Sequence, residues 1–339
     1  MQNSNPKIGI PVITTLLLFF THQLNAQDTH IKGFVEANTS YQDGKLNFGF
    51  GEQDLFITSQ VTDRLSFLGE SVFKFSLASP TSFDVSVERV VLKYNYYGNH
   101  NILIGKHHTP VNYWNDTYHH GRVLFPTIDR PLLFAANIIP LHTVGVDFQG
   151  QNLGDLKFGY DLMIGNGIGS NEIIDNDKRK SVTAAIHVKP IEGFRVGVSY
   201  YNDVISKGAR IHGGHILESK ISQNLVSASI AYFGNKIEVL GEGTFASNHS
   251  DSTGSQHTIA SYLYGGIKIK EKWVPYVRGD YIHYQNGEFF FIKDNTKSIV
   301  VGLRHELSYL AVIKLEYQYE NHQFTGNVDR IVAQLAIGF

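Results

Sequence analysis

Hydrophobic and polar residues alternate along most of this chain with a period of two. That period places successive side chains on opposite faces of a β-strand. From residue 311 to residue 320, the positions 311, 313, 315, 317 and 319 are apolar or aromatic, whereas Lys314, Glu316 and Gln318 share the other face. Only Val312 interrupts the polar face. Helical periodicity is nearly absent, so the pattern predicts an all-β protein.

Segments of this kind predict about sixteen strands. Their expected ranges are 30–41, 46–61, 65–77, 83–96, 101–107, 141–149, 156–165, 181–189, 194–204, 221–233, 236–246, 258–269, 273–284, 297–307, 311–320 and 328–339. An even number of strands suits a closed antiparallel barrel. Most segments approach the roughly 9 to 11 residues that a tilted strand needs to cross a bilayer.

The connections between these segments alternate in length. Short ones, such as 62–64 and 234–235, alternate with longer polar ones, such as 165–180, 205–220 and 247–257. Transmembrane barrels have short periplasmic turns and longer outer loops. A soluble β-sandwich has no reason to alternate in this way. The sequence therefore predicts a transmembrane antiparallel β-barrel with both termini on the periplasmic side.

The two ends of the chain carry export and assembly features. Lys7 followed by the apolar run 8–20 is typical of a secretory signal, with cleavage expected after Ala26. That run is shorter than the roughly 20 residues of a membrane-spanning helix. At the other end, an alternating strand closes on the aromatic Phe339. We therefore expect a signal peptide over 1–26 and an outer-membrane barrel over 27–339.

The composition excludes several classes of function. Lys and Arg number 29 against 31 Asp and Glu, a formal net charge of -2, so the overall balance does not indicate a nucleic-acid partner. Cysteine is absent, which excludes disulfides, thiolate metal sites, a Cys nucleophile and a lipid-modified Cys anchor.

The segment 105–110, Gly-Lys-His-His-Thr-Pro, is followed by Tyr-Trp-Asn-Asp at 113–116, within the longest connection of the chain, 108–140. Together with the strand number and Phe339, these features resemble the porin superfamily of Gram-negative bacteria, in particular the phosphate-selective porin-like barrels. The resemblance implies that the 108–140 connection, after strand 5, folds into the lumen and narrows it. It also implies that the assembly machinery of the outer membrane reads the last strand, and it is compatible with a homotrimer.

The expected inner faces depart from a phosphate-selective channel, which depends on rows of Lys and Arg. Here the cations alternate with acids; the pairs are Lys157 with Asp161, Arg278 with Asp280, Arg304 with Glu306, and Lys314 with Glu316. Phosphate selectivity is therefore not carried over, and the near balance predicts weak ion selectivity.

Four residues in or beside the long connection are candidates for a pore constriction: Lys106, Arg122, Asp129 and Arg130. Rings of charged side chains set selectivity in such pores. The alternative interpretation is that Arg122, Asp129 and Arg130 pin the connection to the barrel wall by ion pairs.

Histidines at 107, 108, 119, 120 and 142 raise the hypothesis of a metal site, because imidazole is a common metal ligand. Adjacent residues of a strand point apart, so His107 and His108 cannot both bind one ion without a bend. We therefore expect no metal. No Gly-x-Ser-x-Gly motif occurs, and no enzymatic activity or cofactor is expected.

The sequence predicts an outer-membrane porin, a passive diffusion channel for small hydrophilic solutes or ions, with membrane lipid as its surroundings. The alternative is a plugged barrel whose outer loops act as a surface binding or interaction protein.

Overall fold

The computed structural model describes residues 28–76, 78–118, 121–168, 175, 178–211, 216–291 and 294–339. The expected signal peptide, 1–26, lies outside these residues, as do His119 and His120.

Sixteen antiparallel strands form one closed barrel, as the alternation predicts. Each strand pairs with its neighbours in sequence, and β1 pairs with β16 from Phe34 opposite Gly338 to Tyr41 opposite Ile331. The strands are β1 (Asp28–Gln42), β2 (Lys45–Gln60), β3 (Leu65–Phe75), β4 (Phe83–Tyr97), β5 (His100–His108), β6 (His142–Leu153), β7 (Phe158–Gly165), β8 (Ser181–Val188), β9 (Phe194–Ile205), β10 (Ile221–Phe233), β11 (Ile237–Ser250), β12 (Gly254–Ile267), β13 (Trp273–Tyr284), β14 (Thr296–Ser308), β15 (Ala311–His322) and β16 (Gly326–Gly338).

Alternation separates an apolar outer face from a mostly polar inner face. On β15 the outward Ile313, Leu315 and Tyr317 are exposed, whereas the inward Lys314 and Glu316 are fully buried. A closed barrel leaves no strand edge without hydrogen bonds, which is the condition for a sheet to face lipid. The outer face of this barrel is therefore suited to a bilayer.

The connections confirm short turns at one end of the barrel, which we call the short-turn end. They are 61–64, 98–99, 154–157, 189–193, 234–236, 268–272 and 309–310, and β1 begins and β16 ends at the same end. The opposite end, the loop end, is less uniform than the sequence indicates. The connections 43–44, 251–253 and 323–325 are as short as those of the short-turn end.

The connection expected over 247–257 is mostly strand. β11 continues to Ser250 and β12 starts at Gly254. The two strands stay paired to the tip, with His249 opposite Ser255 and Ser250 opposite Gly254. Both faces of this extension carry polar residues, so the alternation that marks a strand is lost there. Hydrophobic periodicity reports a strand only where one face is removed from water.

The connection 109–141 between β5 and β6 folds into the barrel, as expected from the resemblance; we call it the inward loop. It contains two short helices, α1 (Tyr113–Thr117) and α2 (Leu132–Ala135), and a 3₁₀ turn over Arg122–Leu124. Among the described residues, none of the helices has the length and hydrophobicity needed to cross a membrane.

The C-terminal residue takes part in barrel closure. The Phe339 N–H donates to the Gly33 carbonyl at 2.9 Å, and the Gly33 N–H donates to the Phe339 carbonyl at the same distance. A Cβ at position 33 would lie 2.4 Å from the Phe339 ring and 2.8 Å from the Asp54 carbonyl oxygen, so a larger residue there would displace the ring and crowd β2.

Candidate functional site in the barrel lumen

An apolar core fills part of the lumen, between the inward loop and the inner face of β9 to β14. Trp114 and Phe125 lie with ring centroids 5.1 Å apart, and Trp114 lies 6.1 Å from the Tyr262 ring on β12. The core also includes Leu133 and Phe134 of α2. Burial of such side chains stabilises a packed structure by roughly 1.5–3 kcal/mol each. The loop is therefore packed against the wall as a domain core is.

Carboxylates of the wall accept hydrogen bonds from backbone N–H groups of the loop. They belong to β2, β11, β13 and β15, so the loop is held from opposite sides of the barrel. Glu242 accepts from Tyr113 and from Trp114 (3.2 Å), Asp54 from Gly121 (3.1 Å), Glu316 from Ile128 (2.6 Å) and Asp280 from Leu132 (3.0 Å).

Cations of the wall hold the carbonyl groups of the same loop. Lys314 donates to the Arg122 carbonyl at 2.6 Å and to the Thr127 carbonyl at 3.1 Å. Arg278 donates to the Asp129 carbonyl at 2.7 Å, and Arg304 reaches the Pro126 carbonyl at 3.3 Å. Hydrogen bonds to charged groups contribute roughly 1.5–3 kcal/mol each.

The sequence suggested that the inner charges of β13 to β15 line open water. In the structure they do not. Arg278, Arg304 and Lys314 are at most 7% exposed, because they lie beneath the loop. Lys157, expected on the inner face of β7, lies in the turn before that strand and is exposed. The alternation identified the inward positions on β13 to β15, but not what covers them.

Arg122 and Asp129 both form ion pairs with the wall. Arg122 lies 3.6 Å from Glu36 on β1 and 3.6 Å from Glu52 on β2. Burial lowers the pKa of the Arg122 guanidinium, but these carboxylates outweigh burial and raise its pKa above the ordinary value. Asp129 lies 3.2 Å from Arg330 on β16. This is the arrangement that the pinning interpretation expects.

Arg130 lies near the positive charge of Arg122, whereas Lys106 lies on the outward face of β5. Burial, followed by the positive charge of Arg122, lowers the pKa of Arg130. Lys106 lies opposite the exposed Val90 and two residues after the exposed Ile104, so it belongs to the outward face of β5. Its Nζ donates to the Val87 carbonyl at 2.7 Å. The structure thus places Lys106 away from the other three candidates, and a constriction role for any of the four stays a prediction.

The described histidines of this region do not all come together. His107 is buried, whereas its neighbour His108 packs against His142 with ring centroids 5.2 Å apart. His142 in turn lies 3.3 Å from Glu88. In the described part of the chain, no group of three or more His, Asp or Glu side chains is arranged to hold a metal ion.

A cavity of 430 Å³ lies inside the barrel at the short-turn end, beside α1; we call it the vestibule. Its wall comes from β6 and from β8 to β10, with Lys189, Glu192 and Arg195 among its charged groups. Asp116 and Tyr113 of α1 form its other side. None of these residues was identified as a candidate from the sequence. Arg195 is the second residue of β9, and its charged side chain faces inward. The sequence alone does not distinguish it, because its contact with the vestibule depends on the position of the inward loop.

The fold has solved counterparts, although no protein-family model and no curated protein matches the sequence. OmpT, an outer membrane protein of Vibrio cholerae solved in a trimer form, matches at a TM-score of 0.67 and 12% identity, over 93% of this chain and 100% of that one. An anion-selective porin from Comamonas acidovorans matches at 0.67 and 11% identity, over 92% of this chain and 100% of that one. The outer membrane channel DcaP of Acinetobacter baumannii matches at 0.64 and 12% identity, over 94% and 99%.

These likenesses extend over nearly the whole length of each chain. At such low identity they establish architecture rather than activity. The chain has the sixteen-stranded barrel fold of outer-membrane porins.

Proposed function

We propose that this chain is an outer-membrane porin, which lets small hydrophilic solutes or ions diffuse passively across the outer membrane. The observation that carries the proposal is a closed barrel with an apolar outer face, whose inward loop leaves a vestibule with charged groups open inside the barrel. No cofactor and no catalytic step form part of the proposal.

The outer membrane is the location that the surface of the barrel supports. Exposed apolar side chains such as Ile299, Val301 and Leu303 succeed one another along β14. Such a surface is stable in lipid, which offers no hydrogen-bond partners and so requires a closed barrel. We further propose that the assembly machinery recognises the last strand with Phe339, and that a signal over 1–26 directs export.

The permeation path in this proposal runs beside β6 to β8 and the short-turn ends of β9 and β10, because the apolar core occupies the lumen along most of β9 and β10 and along β11 to β14. Its mouth carries Lys157, Lys189 and Arg195 against Asp116 and Glu192. Since selectivity depends on the bore and on the charges that line it, we expect a narrow pore with weak charge selectivity.

Planar-bilayer recording of the purified full-length protein tests the proposal. We expect discrete conductance steps, and their absence from a folded, inserted barrel would refute a channel function. A variant in which a short Gly/Ser linker replaces residues 112–137 should conduct more, since the loop would no longer occupy the lumen. The control is a variant with the outer connection 76–82 shortened, which should conduct as the parent does.

A plugged barrel that acts in surface binding is the second candidate. The apolar core between the loop and the wall favours it, because a core packed to 1% exposure at Trp114 and Leu133 closes that part of the lumen to water. Permeation of a small sugar into reconstituted vesicles separates the two candidates, since a plugged barrel admits none.

Membership in the phosphate-selective porin-like group and a homotrimeric assembly are finer proposals. The segment 105–110 and the inward loop support the first, and the low identity of all three solved counterparts leaves the group open. Crosslinking of the protein in its native membrane tests the second.

A further inference from the structure

Two cavities inside the barrel share two residues, Asp116 of α1 and Arg195 of β9. The vestibule at the short-turn end has a volume of 430 Å³. The second cavity, of 20 Å³, lies nearer the middle of the barrel, where Asp161, Ser199 and Ser229 line it. Because Asp116 and Arg195 line both, their side chains stand at the boundary between the two spaces.

The two side chains meet across that boundary. Arg195 Nη2 lies 3.3 Å from Asp116 Oδ2 and 3.2 Å from His187 Nδ1. The guanidinium carbon also lies 4.9 Å from the centre of the Tyr113 ring, within the range of a cation–π contact. The pair therefore connects the inward loop to the barrel wall.

This ion pair is held less firmly than those beneath the loop. The Asp116 side chain is 41% exposed and that of Arg195 is 14% exposed, whereas Arg278 and Asp280 are 3% and 1% exposed. Partly exposed ion pairs contribute little to stability, because water screens them. The contact between Asp116 and Arg195 can thus break without disturbing the core of the loop.

We infer that the Asp116–Arg195 ion pair is a gate in the permeation path and the main determinant of its charge selectivity. This inference rests on the proposed channel function. When the pair is closed, it separates the vestibule from the second cavity. When it opens, the two cavities join, and each charge faces passing ions: the guanidinium attracts anions, and the carboxylate attracts cations.

The test uses two single variants, Asp116→Asn and Arg195→Gln, recorded in planar bilayers with potassium chloride. Asp116→Asn removes one charge with almost no change of shape, and Arg195→Gln removes one charge and shortens the side chain, so both variants should conduct more than the parent. Under a salt gradient, their reversal potentials should shift in opposite directions, toward anions for Asp116→Asn and toward cations for Arg195→Gln. A pair with a merely structural role would not give shifts of opposite sign.

The control is Asp251→Asn. Asp251 forms an exposed pair with Lys220 at 3.7 Å at the loop end, so this variant makes the same chemical change away from both cavities. It should leave conductance and reversal potential unchanged. Thermal unfolding of all three variants, followed by circular dichroism, confirms that each barrel is folded.

The outcomes separate the inference from the proposed function. If folded parent protein does not conduct, the channel function fails. If the parent conducts but neither variant conducts more than the parent, or the two variants shift in the same direction, or neither shifts relative to Asp251→Asn, the channel function stands and the gate is refuted.

Discussion

Replacement of Lys314 by Met should release the inward loop. The Lys314 side chain is fully buried, and its Nζ donates to the Arg122 carbonyl at 2.6 Å, to the Thr127 carbonyl at 3.1 Å and to Gln334 at 3.2 Å. Methionine has a similar length but no donor. The change would therefore leave two loop carbonyls buried without this partner.

The size of the effect follows from two opposing contributions. Two hydrogen bonds from a charged donor contribute roughly 3–6 kcal/mol together. Removal of a buried ammonium group also relieves several kcal/mol of desolvation, although loss of one partner of a buried charged contact is strongly destabilising on balance. We expect a net loss of about 3 kcal/mol for the docked loop, which raises the released population on the order of 100-fold, since each 1.4 kcal/mol is a factor of ten.

Trypsin provides the assay, because the loop contains one readily cleaved bond, after Arg122; Arg130 precedes a proline. In Lys314→Met, cleavage after Arg122 should be on the order of 100-fold faster than in the parent if cleavage follows the released population, and single-channel conductance should rise. Lys236→Met is the matched control, because Lys236 is an exposed turn residue. Equal cleavage rates in the two variants would refute the view that Lys314 holds the loop.

Three further predictions follow from single contacts. Trp114→Ala should lower the unfolding free energy by about 3–5 kcal/mol, measured by denaturant titration, because the indole is 1% exposed in the lumenal core; an unchanged midpoint would contradict the packing. Gly33→Val should lower the unfolding free energy by about 1–3 kcal/mol and reduce refolding yield, because a Cβ there would lie 2.4 Å from the Phe339 ring. Its control is Gly49→Val, which should refold as the parent does because no atom lies within 4 Å of a Cβ at position 49. Asp294 accepts hydrogen bonds from two backbone N–H groups of the last loop-end turn at 2.8 and 2.9 Å, and although desolvation raises its pKa, these bonds lower it below the ordinary value. Because the folded-state pKa is the lower one, the stabilisation from this contact is fully present above the unfolded pKa of about 3.9 and is lost as the pH falls through the lower folded-state pKa. Hydrogen exchange at those two amides should therefore be protected at pH 7 and lose that protection only at a pH below about 3.9; loss of protection at a higher pH would contradict it.

The sequence predicts the number of strands and most of their positions, because a lipid-facing strand must show a period of two. It predicts the β11 and β12 tips poorly, since residues such as Asn248 and Ser250 carry no apolar partner face. The inward fold of the 108–140 connection came from a resemblance, and its helices were not predicted, because α1 and α2 are only five and four residues long.

The candidate site was harder to predict than the fold, for a physical reason. The contacts that define it join residues far apart in sequence, as Glu316 and Ile128 do across the lumen. Alternation identifies an inward charge but not the group that faces it. Arg195 therefore looks like any other inward cation of a barrel until the position of α1 is known.

The lumenal core also bears on how such a protein can change over evolutionary time. Substitutions at Trp114, Tyr262 or Leu133 require compensating changes elsewhere in the loop or on the strands beneath it, because these side chains share one packed volume. None of the described buried residues of this core belongs to the wall formed by β6, β7 and β8. The inner residues of these strands can therefore vary one at a time. We expect solute preference among descendants of this chain to diversify on that wall, while the loop and the strands beneath it are inherited as a unit.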